Sequence, residues 1–361
     1  MEHISNTSTS LDNTSESGTT DPVGSNHLRT IKLTLYTLIF LVSAAGNTLV
    51  CIVILKRKKM KTVTNYFILN LAVADLALTC ICIPFDIPVQ EMGYIWPYGA
   101  VMCKVLYPLQ TLTLFASVYT LTAVSLTRYW AIVHPLRKQL SVSKAKTLVI
   151  AIWVLSLLPV APYMNSLSYV PHSKYCEENW DNHNARKGYT ASLFAFQYVI
   201  PLTIIATAYC SITRELSRRT IESACVRNQQ HKETKKVVRM LMIVTLLFAV
   251  CVLPNNVMWL WLDFGAADKS FKYFWDVVAF CHVWTFLNSA ANPICYTILN
   301  ENYRKEIQIA FMEYRRKRVK RRSDSDPTQF RSVHRESLNA MLTLLIPNSK
   351  TKSSTTQLSF V

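Results

Sequence analysis

Asp75 is a carboxylic acid in the middle of an otherwise apolar stretch, Tyr66 to Pro88. An ionised carboxylate surrounded by apolar side chains needs a cation, or it becomes protonated. Neutral polar residues such as Asn47 lie near the middle of other apolar stretches. Their oxygens suit a small, hard cation such as sodium, although hydrogen bonding between helices would also explain them. The predicted sodium site consists of Asp75, Ser117, Asn288, Ser289 and Asn292.

The chain shows no combination of side chains that is typical of a catalytic centre, so we do not expect an enzyme. His282 is an isolated histidine with no second metal ligand at helical spacing. We therefore interpret it as a polar residue in the wall of a pocket. Apart from the sodium ion we expect no metal and no cofactor.

Long apolar segments must position these residues. Six stretches without Asp, Glu, Lys or Arg are long enough to cross a bilayer, which takes about 20 residues, and Tyr66 to Pro88 is a seventh. One such segment is compatible with a buried helix of a soluble protein, but seven are not. Segments of this length span as helices. We predict an all-α membrane protein with a bundle of seven transmembrane helices in residues 30–299. The six charge-free stretches are Leu33 to Leu55, Val105 to Thr127, Thr147 to Ser173, Gly188 to Thr213, Met240 to Leu262 and Val277 to Asn300.

The charge distribution predicts the orientation. The 361 residues include 39 Lys and Arg against 22 Asp and Glu, a formal charge of +17 that is also typical of nucleic-acid-binding proteins. Most of the basic residues, however, follow the first, third, fifth and seventh spans. Because Lys and Arg beside span ends mark the cytoplasmic side, the N-terminus is predicted to be extracellular and the C-terminus cytoplasmic. We expect a multi-pass plasma-membrane protein that binds no nucleic acid.

Both ends of the chain are polar. Residues 1–29 are rich in Ser and Thr, and Asn6 and Asn13 each begin a triplet that accepts N-linked glycans. We expect an extracellular, glycosylated, disordered tail without a cleavable signal peptide. Residues 315–361 are predicted to be a disordered cytoplasmic tail. Its basic run, Arg315 to Arg322, is expected to touch anionic lipid.

Short motifs, one or more in most of the spans, form an ordered set. The set resembles the rhodopsin-like (class A) G-protein-coupled receptors, from about Thr34 to Met312. A transporter, the alternative outside this family, has no reason to show it. Asn300-Glu-Asn-Tyr-Arg-Lys is similar to the start of the family's short amphipathic helix, here 300–314. The other motifs are Gly46-Asn47, Leu71-Ala-Val-Ala-Asp75-Leu, Trp153, Pro201 with Tyr209, and Asn288-Ser-Ala-Ala-Asn292-Pro-Ile-Cys-Tyr296.

The resemblance implies a disulfide between Cys103 and Cys176, and a heterotrimeric G protein as the intracellular partner. It also implies receptor kinases and arrestin as partners of the tail. The last residues, Ser359 to Val361, fit a ligand of a PDZ domain. By the same resemblance, activation and coupling involve Arg128, Tyr129, Tyr209, Phe248, Pro254, Pro293 and Tyr296.

Two positions depart from the family pattern. Thr127 stands where an acid usually precedes the arginine, so Arg128 lacks the carboxylate that would hold it at rest. We expect either raised basal activity, including an atypical constitutively active or scavenging receptor, or another partner for Arg128. Val252 stands where a tryptophan is usual, and its smaller side chain leaves volume to be filled.

The residues that face the predicted outer cavity favour a peptide ligand. Phe286 replaces the lysine of an opsin, and Gln110 cannot pair with an amine transmitter. Cys176-Glu-Glu178-Asn-Trp180 resembles the second outer loop of neuropeptide receptors. Three further motifs are most similar to those of galanin and allatostatin-A receptors: Cys80-Ile-Cys-Ile-Pro84-Phe85, Trp96-Pro-Tyr-Gly and Leu260-Trp-Leu-Asp263-Phe-Gly. The neuropeptide Y, orexin and RFamide groups share Gln110 and the loop pattern and remain alternatives. Asp86, Glu178 and Asp263 form a predicted acidic rim for a cationic peptide group, unless each acid is simply solvated. The predicted ligand-binding residues are Phe85, Asp86, Gln110, Thr111, Leu114, Glu178, Asn256, Trp259, Asp263, His282 and Phe286.

Overall fold

The computed structural model describes residues 22–222 and 228–325, and within them a bundle of seven long helices. The predicted glycosylation sites Asn6 and Asn13, and the C-terminal Ser359 to Val361, lie outside the described residues. The helices confirm the predicted seven-helix class. They are α1 Pro22–Lys56, α2 Val63–Glu91, α3 Gly99–Val133, α4 Val142–Ser166, α5 (the continuous run His183–Leu193, Phe194–Val199 and Ile200–Glu222), α6 Asn228–Gly265, α7 Phe274–Leu299, and after the bundle α8 Glu301–Ser325.

Six of these helices are long and apolar enough to cross a membrane, counted over the described residues. The seventh helix, α7, has sufficient length with 26 residues, but it carries His282, Asn288, Ser289 and Asn292. These polar side chains interrupt the apolar sequence of α7.

Two helices contain a wide π turn just before a proline. In α2 the π segment Leu78–Cys82 precedes Pro84, and in α5 the segment Phe194–Val199 precedes Pro201. Proline lacks the N–H that the regular ladder needs, and its ring crowds the preceding turn. The extra residue in each π turn changes the direction of the side chains that follow it. In α2 those side chains include Phe85 and Asp86.

A short antiparallel hairpin follows α4. Its strands, β1 Leu167–Val170 and β2 Tyr175–Glu178, pair Tyr169 with Cys176. Cys176 is bonded to Cys103 near the start of α3, which confirms the predicted disulfide. The hairpin is therefore held against the helical bundle at its β2 strand, two residues before Glu178.

The ends of two helices differ from the boundaries predicted from sequence. Helix α1 begins at Pro22, so residues 22–29 are helical and not part of a disordered tail. Proline fits the first turn of a helix, and Glu91 pairs with Arg29 and with Lys32, whose ion pair is 2.8 Å long. Helix α8 continues past 314 to Ser325, through a sequence rich in the helix formers Glu, Arg and Lys. Within the described residues, Lys305–Ser325 belong to a second compact unit.

Hydrogen bonds between side chains fix the packing of three helices. The Asn70 amide on α2 donates to the Thr120 hydroxyl on α3 over 2.7 Å. The Trp153 indole N–H on α4 donates to the Asn70 carbonyl oxygen over 2.8 Å. Trp153 was identified from sequence as one of the ordered motifs, and its function in the fold is this bridge.

Helices α1 and α7 touch where Gly46 faces Pro293. A Cβ atom placed on Gly46 would lie 2.6 Å from the Pro293 ring, well inside van der Waals contact. We expect Gly46→Ala to destabilise the protein by about 1–3 kcal/mol, because neither helix backbone can move away without cost. A melting curve in detergent measures the loss. Gly188→Ala in α5 is the matched control, since nothing lies within 4 Å of the added carbon. Equal melting temperatures for the two variants would contradict the prediction.

Candidate functional site

Asp263, near the C-terminal end of α6, is a buried carboxylate with two partners on α5. The residue as a whole is only 5% exposed. It lies 2.8 Å from the Arg186 guanidinium and accepts a hydrogen bond from the Thr190 hydroxyl. Arg186 and Thr190 are four residues apart and therefore lie on one face of α5. The Asn182 side chain fixes the start of this helix, because it accepts a hydrogen bond from the Ala185 N–H.

The β1–β2 hairpin reaches the same arginine. Glu178, at the end of β2, lies 3.6 Å from the Arg186 guanidinium and accepts a hydrogen bond from the Trp180 indole over 2.8 Å. Trp180 packs on Tyr189, with ring centroids 4.9 Å apart. Two carboxylates thus share one arginine beside an aromatic surface. We call Glu178, Arg186, Thr190 and Asp263 the arginine cluster.

Asp86 on α2 belongs to a different group. It is 2% exposed and accepts a hydrogen bond of 2.7 Å from the Gln90 amide, one helical turn away. The same amide donates to the Tyr36 hydroxyl over 2.9 Å. His282 Nδ1 on α7 lies 3.3 Å from the Asp86 carboxylate. We call Tyr36, Asp86, Gln90 and His282 the α2 cluster.

Aromatic rings surround the α2 cluster. Phe286 lies 5.8 Å from Tyr36 and 6.5 Å from His282 between ring centroids. Phe85 meets Tyr98 edge to face at 5.0 Å. The buried side-chain oxygen of Gln90 has no hydrogen-bond partner among the described residues. The α2 cluster therefore retains one free hydrogen-bond acceptor, the Gln90 side-chain oxygen, for a ligand N–H.

The remaining predicted ligand residues lie on α3 and α6. Gln110 and Thr111 are half-buried, and Leu114 is buried. On α6, the Trp259 indole donates to the Asn255 side chain, and the Asn256 amide donates to the Val252 carbonyl. No hydrogen bond between described residues joins these side chains to the arginine cluster or to the α2 cluster. Their contact with a ligand stays a prediction.

The acidic rim predicted from sequence is divided into two groups. Glu178 and Asp263 meet at Arg186, whereas Asp86 bonds to Gln90 and His282. None of the three acids is simply solvated, because each has a side-chain partner. Sequence reasoning missed Arg186, Thr190, Tyr36 and Gln90. The spacing of Arg186 and Thr190 along one helical face was the available signal.

Asp75 lies in the middle of the bundle and is 1% exposed. The Asn292 amide on α7 donates to its carboxylate over 2.8 Å, so the predicted pairing of α2 with α7 is present. Ser117, Asn288 and Ser289 are also buried. The Asn47 amide donates to the Ser289 carbonyl, and this hydrogen bond joins α1 to α7 at a residue of the predicted sodium site.

Several oxygens at this level suit a cation. The side-chain oxygens of Asn288, Ser289 and Asn292 are buried and have no hydrogen-bond partner among the described residues. Unpaired acceptors next to a carboxylate are what a small hard cation requires. Asn292 contacts Asp75 directly, and a sodium ion bound there would supply the positive charge that Asp75 lacks. No hydrogen bond between described residues joins Ser117 or Asn288 to Asp75, so their part in the site stays a prediction. The ion itself stays a prediction.

Arg128, near the C-terminal end of α3, has a partner that the sequence did not indicate. Its guanidinium donates to the Thr64 hydroxyl in the first turn of α2. The Thr127 hydroxyl donates instead to the Val124 carbonyl over 2.9 Å. Within the described residues no carboxylate lies in ion-pair distance of Arg128, and its Nε atom has no hydrogen-bond partner. The charge of Arg128 is therefore held by one neutral hydroxyl.

The other predicted activation residues lie inside the bundle. Tyr209 on α5, Phe248 on α6 and Tyr296 on α7 are buried, as is Val252 at the usual tryptophan position. Pro293 packs on Gly46. Pro254 is half-buried within α6, and Tyr129 is half-buried on α3, where its ring lies 5.6 Å from His134. Their part in activation stays a prediction.

Comparison with known proteins agrees with this architecture. The family model described as "7 transmembrane receptor (rhodopsin family)" matches residues 46–296. Neuropeptide FF receptor 1 of Rattus norvegicus is 37% identical over 298 residues, which cover 76% of this chain and 69% of that protein. Galanin receptor type 1 of Rattus norvegicus is 35% identical over 289 residues, 78% of this chain and 82% of that protein. The match covers all of the ordered motifs up to Tyr296, and the chain belongs to the rhodopsin family of seven-transmembrane receptors.

Proposed function

We propose that this protein is a cell-surface receptor for an amidated neuropeptide that carries an arginine, of the RFamide type. The observation that carries the proposal is the arginine cluster. Asp263 is buried and already accommodates one guanidinium, that of Arg186, at 2.8 Å. A planar guanidinium is the cation that pairs best with two nearby carboxylates. The likeness to neuropeptide FF receptors supports the same ligand class.

Arg186 in this proposal occupies the place of the ligand arginine in the resting receptor. Its side chain is 31% exposed, whereas that of Asp263 is 3% exposed. Arg186 can therefore turn toward solvent, while the carboxylate stays in place. A peptide arginine that displaces it would keep the buried acid paired throughout binding, which avoids the cost of an uncompensated buried charge.

A galanin-type peptide is the second candidate. The likeness to galanin receptor type 1 covers a larger share of that relative, 82%. The aromatic groups around Trp180 and Phe286 can accept an aromatic anchor without any guanidinium. A binding panel distinguishes the two candidates. We expect an RFamide peptide to bind and its arginine-to-citrulline analogue to bind much more weakly. Tight binding of galanin, with no effect of the citrulline exchange, would favour the second candidate.

Signalling is proposed to occur by a shift between two arrangements of the bundle. The peptide binds the active arrangement more tightly, α5 and α6 move apart at their inner ends, and a heterotrimeric G protein binds there. Arg128, Tyr209 and Tyr296 are the residues proposed to complete that site. The orientation with the N-terminus outside, the plasma-membrane location, arrestin, receptor kinases and a PDZ partner remain part of the proposal.

Because Arg128 lacks an acidic partner among the described residues, we expect a high basal activity. A neutral hydroxyl holds it weakly, so the resting arrangement lacks the ion pair that the family normally uses. We expect Thr127→Asp to lower ligand-free nucleotide exchange about fivefold, since a partly buried ion pair is worth about 1 kcal/mol. Thr127→Asn, of the same shape but neutral, is the control and should leave the rate near wild type. Unchanged exchange in Thr127→Asp would show that Thr64 alone is a sufficient partner.

A further inference from the structure

A cleft of about 870 Å³ lies between α5 and α6. Its lining extends on α5 from Leu202 to Ser217, which is about 22 Å along the helix axis. Ala206 and Leu246, on opposite sides of the cleft, are exposed at the surface of the bundle. In a bilayer such a cleft opens to lipid, not to water. Its volume is in the range of cavities that hold a small organic ligand.

The cleft is apolar along most of its length and polar at one end. Leu202, Ile205 and Ala249 are among the apolar lining residues, and Thr213, Arg214 and Ser217 form the polar end. Arg214 is the first charged residue after the charge-free stretch Gly188 to Thr213. It is therefore at the level where lipid headgroups begin.

The Arg214 guanidinium is exposed and makes no ion pair within the part of the chain that the structure describes. A guanidinium carries five donors and no acceptor, and it binds phosphate through two parallel hydrogen bonds. A fixed cation at one end of an apolar channel matches a molecule with an anionic head and a hydrocarbon tail. The component of the membrane with that chemistry is an anionic phospholipid.

We propose that the cleft between α5 and α6 binds one anionic phospholipid, with its phosphate on Arg214 and one acyl chain along the apolar lining toward Leu202. A zwitterionic phospholipid offers the same chain, but its headgroup has no net charge, so the Arg214 guanidinium attracts it less than an anionic headgroup. The site therefore discriminates by headgroup charge. The inference concerns the membrane side of the bundle and does not depend on which peptide binds outside.

Occupancy of this cleft is coupled to the predicted activation residues. Tyr209 lines the cleft and is also buried in the bundle, and Thr245 lines it from α6. An acyl chain between the two helices separates them at the level of these side chains. The lipid would thus act on the helices whose relative movement is proposed to accompany signalling.

Photoreactive lipids test the site directly. The full chain is placed in phosphatidylcholine nanodiscs with a tracer of phosphatidylserine or phosphatidylcholine that carries a diazirine on its acyl chain. After irradiation, adducts on peptides of α5 and α6 are quantified by mass spectrometry. We expect the serine lipid to label the cleft about fivefold more than the choline lipid, and Arg214→Gln to remove that difference. Arg239→Gln, which removes an equal charge from α6 outside the cleft, should retain it.

An independent readout uses two exposed free cysteines, Cys210 in the cleft and Cys80 on α2. Labelling of Cys210 by a lipid-soluble maleimide should slow as the anionic lipid fraction rises, whereas labelling of Cys80 should not. Equal photolabelling by the two lipids, or an undiminished difference in Arg214→Gln, overturns the proposal and leaves only bulk acyl chains in the cleft. A protein that shows lipid selectivity but binds no peptide refutes the proposed function alone.

Discussion

Asp263→Asn is expected to lower the potency of an arginine-bearing peptide by about a hundredfold or more. The carboxylate is buried, so removing its charge leaves the peptide guanidinium desolvated and without its partner, a loss of about 3–5 kcal/mol. Asparagine has nearly the same shape, so the packing against α5 is retained. Competition binding with a labelled peptide measures the shift.

Two matched variants make this test specific. Asp268→Asn removes an equal charge from an exposed residue in the short helix Ala267–Ser270 after α6 and should leave potency unchanged. Arg186→Gln should have the opposite effect and raise potency, because it removes the guanidinium that competes for Asp263. The citrulline analogue of the peptide should be weak on wild type and no weaker on Asp263→Asn. If the potency loss from the citrulline exchange and the loss from Asp263→Asn were fully additive, a direct contact between the peptide arginine and Asp263 would be contradicted.

Replacing both Cys103 and Cys176 with serine is expected to reduce stability by about 2–5 kcal/mol. The bond joins residues 73 positions apart and attaches the hairpin to α3. Glu178 follows Cys176 by two residues, so the arginine cluster should loosen together with the hairpin. We therefore expect a lower melting temperature and weaker peptide binding in the same variant.

Cys80→Ser is the control for the disulfide variant. Cys80 is an exposed free thiol on α2, and its replacement should change neither melting temperature nor peptide binding. If the double serine variant melts like the wild type, the hairpin is held by its other contacts and the disulfide contributes little.

The membrane-spanning architecture was predictable because every span needs about 20 predominantly apolar residues to cross the hydrocarbon core. Six charge-free stretches and the apolar stretch Tyr66 to Pro88 located the seven helices, and Asp75 was identified as a polar residue where none is expected. The contact between Asp75 and Asn292 confirms that such residues meet across helices. Helix ends were less predictable, since Pro22 and Ser325 lie in polar sequence whose helicity depends on propensity and local contacts.

Partners that depend on three-dimensional proximity were not predictable. Arg186 lies just before the charge-free stretch Gly188 to Thr213, and nothing in the sequence placed it between Glu178 and Asp263. Thr64 is far from Arg128 along the chain, so its hydroxyl could not be identified as the substitute for the missing acid. The cleft between α5 and α6 required the packing of both helices. In each case the sequence showed the residue type but not the residue that it contacts in the folded protein.

Nucleotide exchange on a purified G protein tests the central claim most directly. The receptor is reconstituted in nanodiscs with a heterotrimeric G protein, and GTP-analogue uptake is followed while peptides are added. We predict measurable exchange without ligand, a further rise with an amidated, arginine-bearing peptide, and no such rise in Asp263→Asn. A folded receptor whose exchange rate does not change with any peptide of the panel would contradict the account.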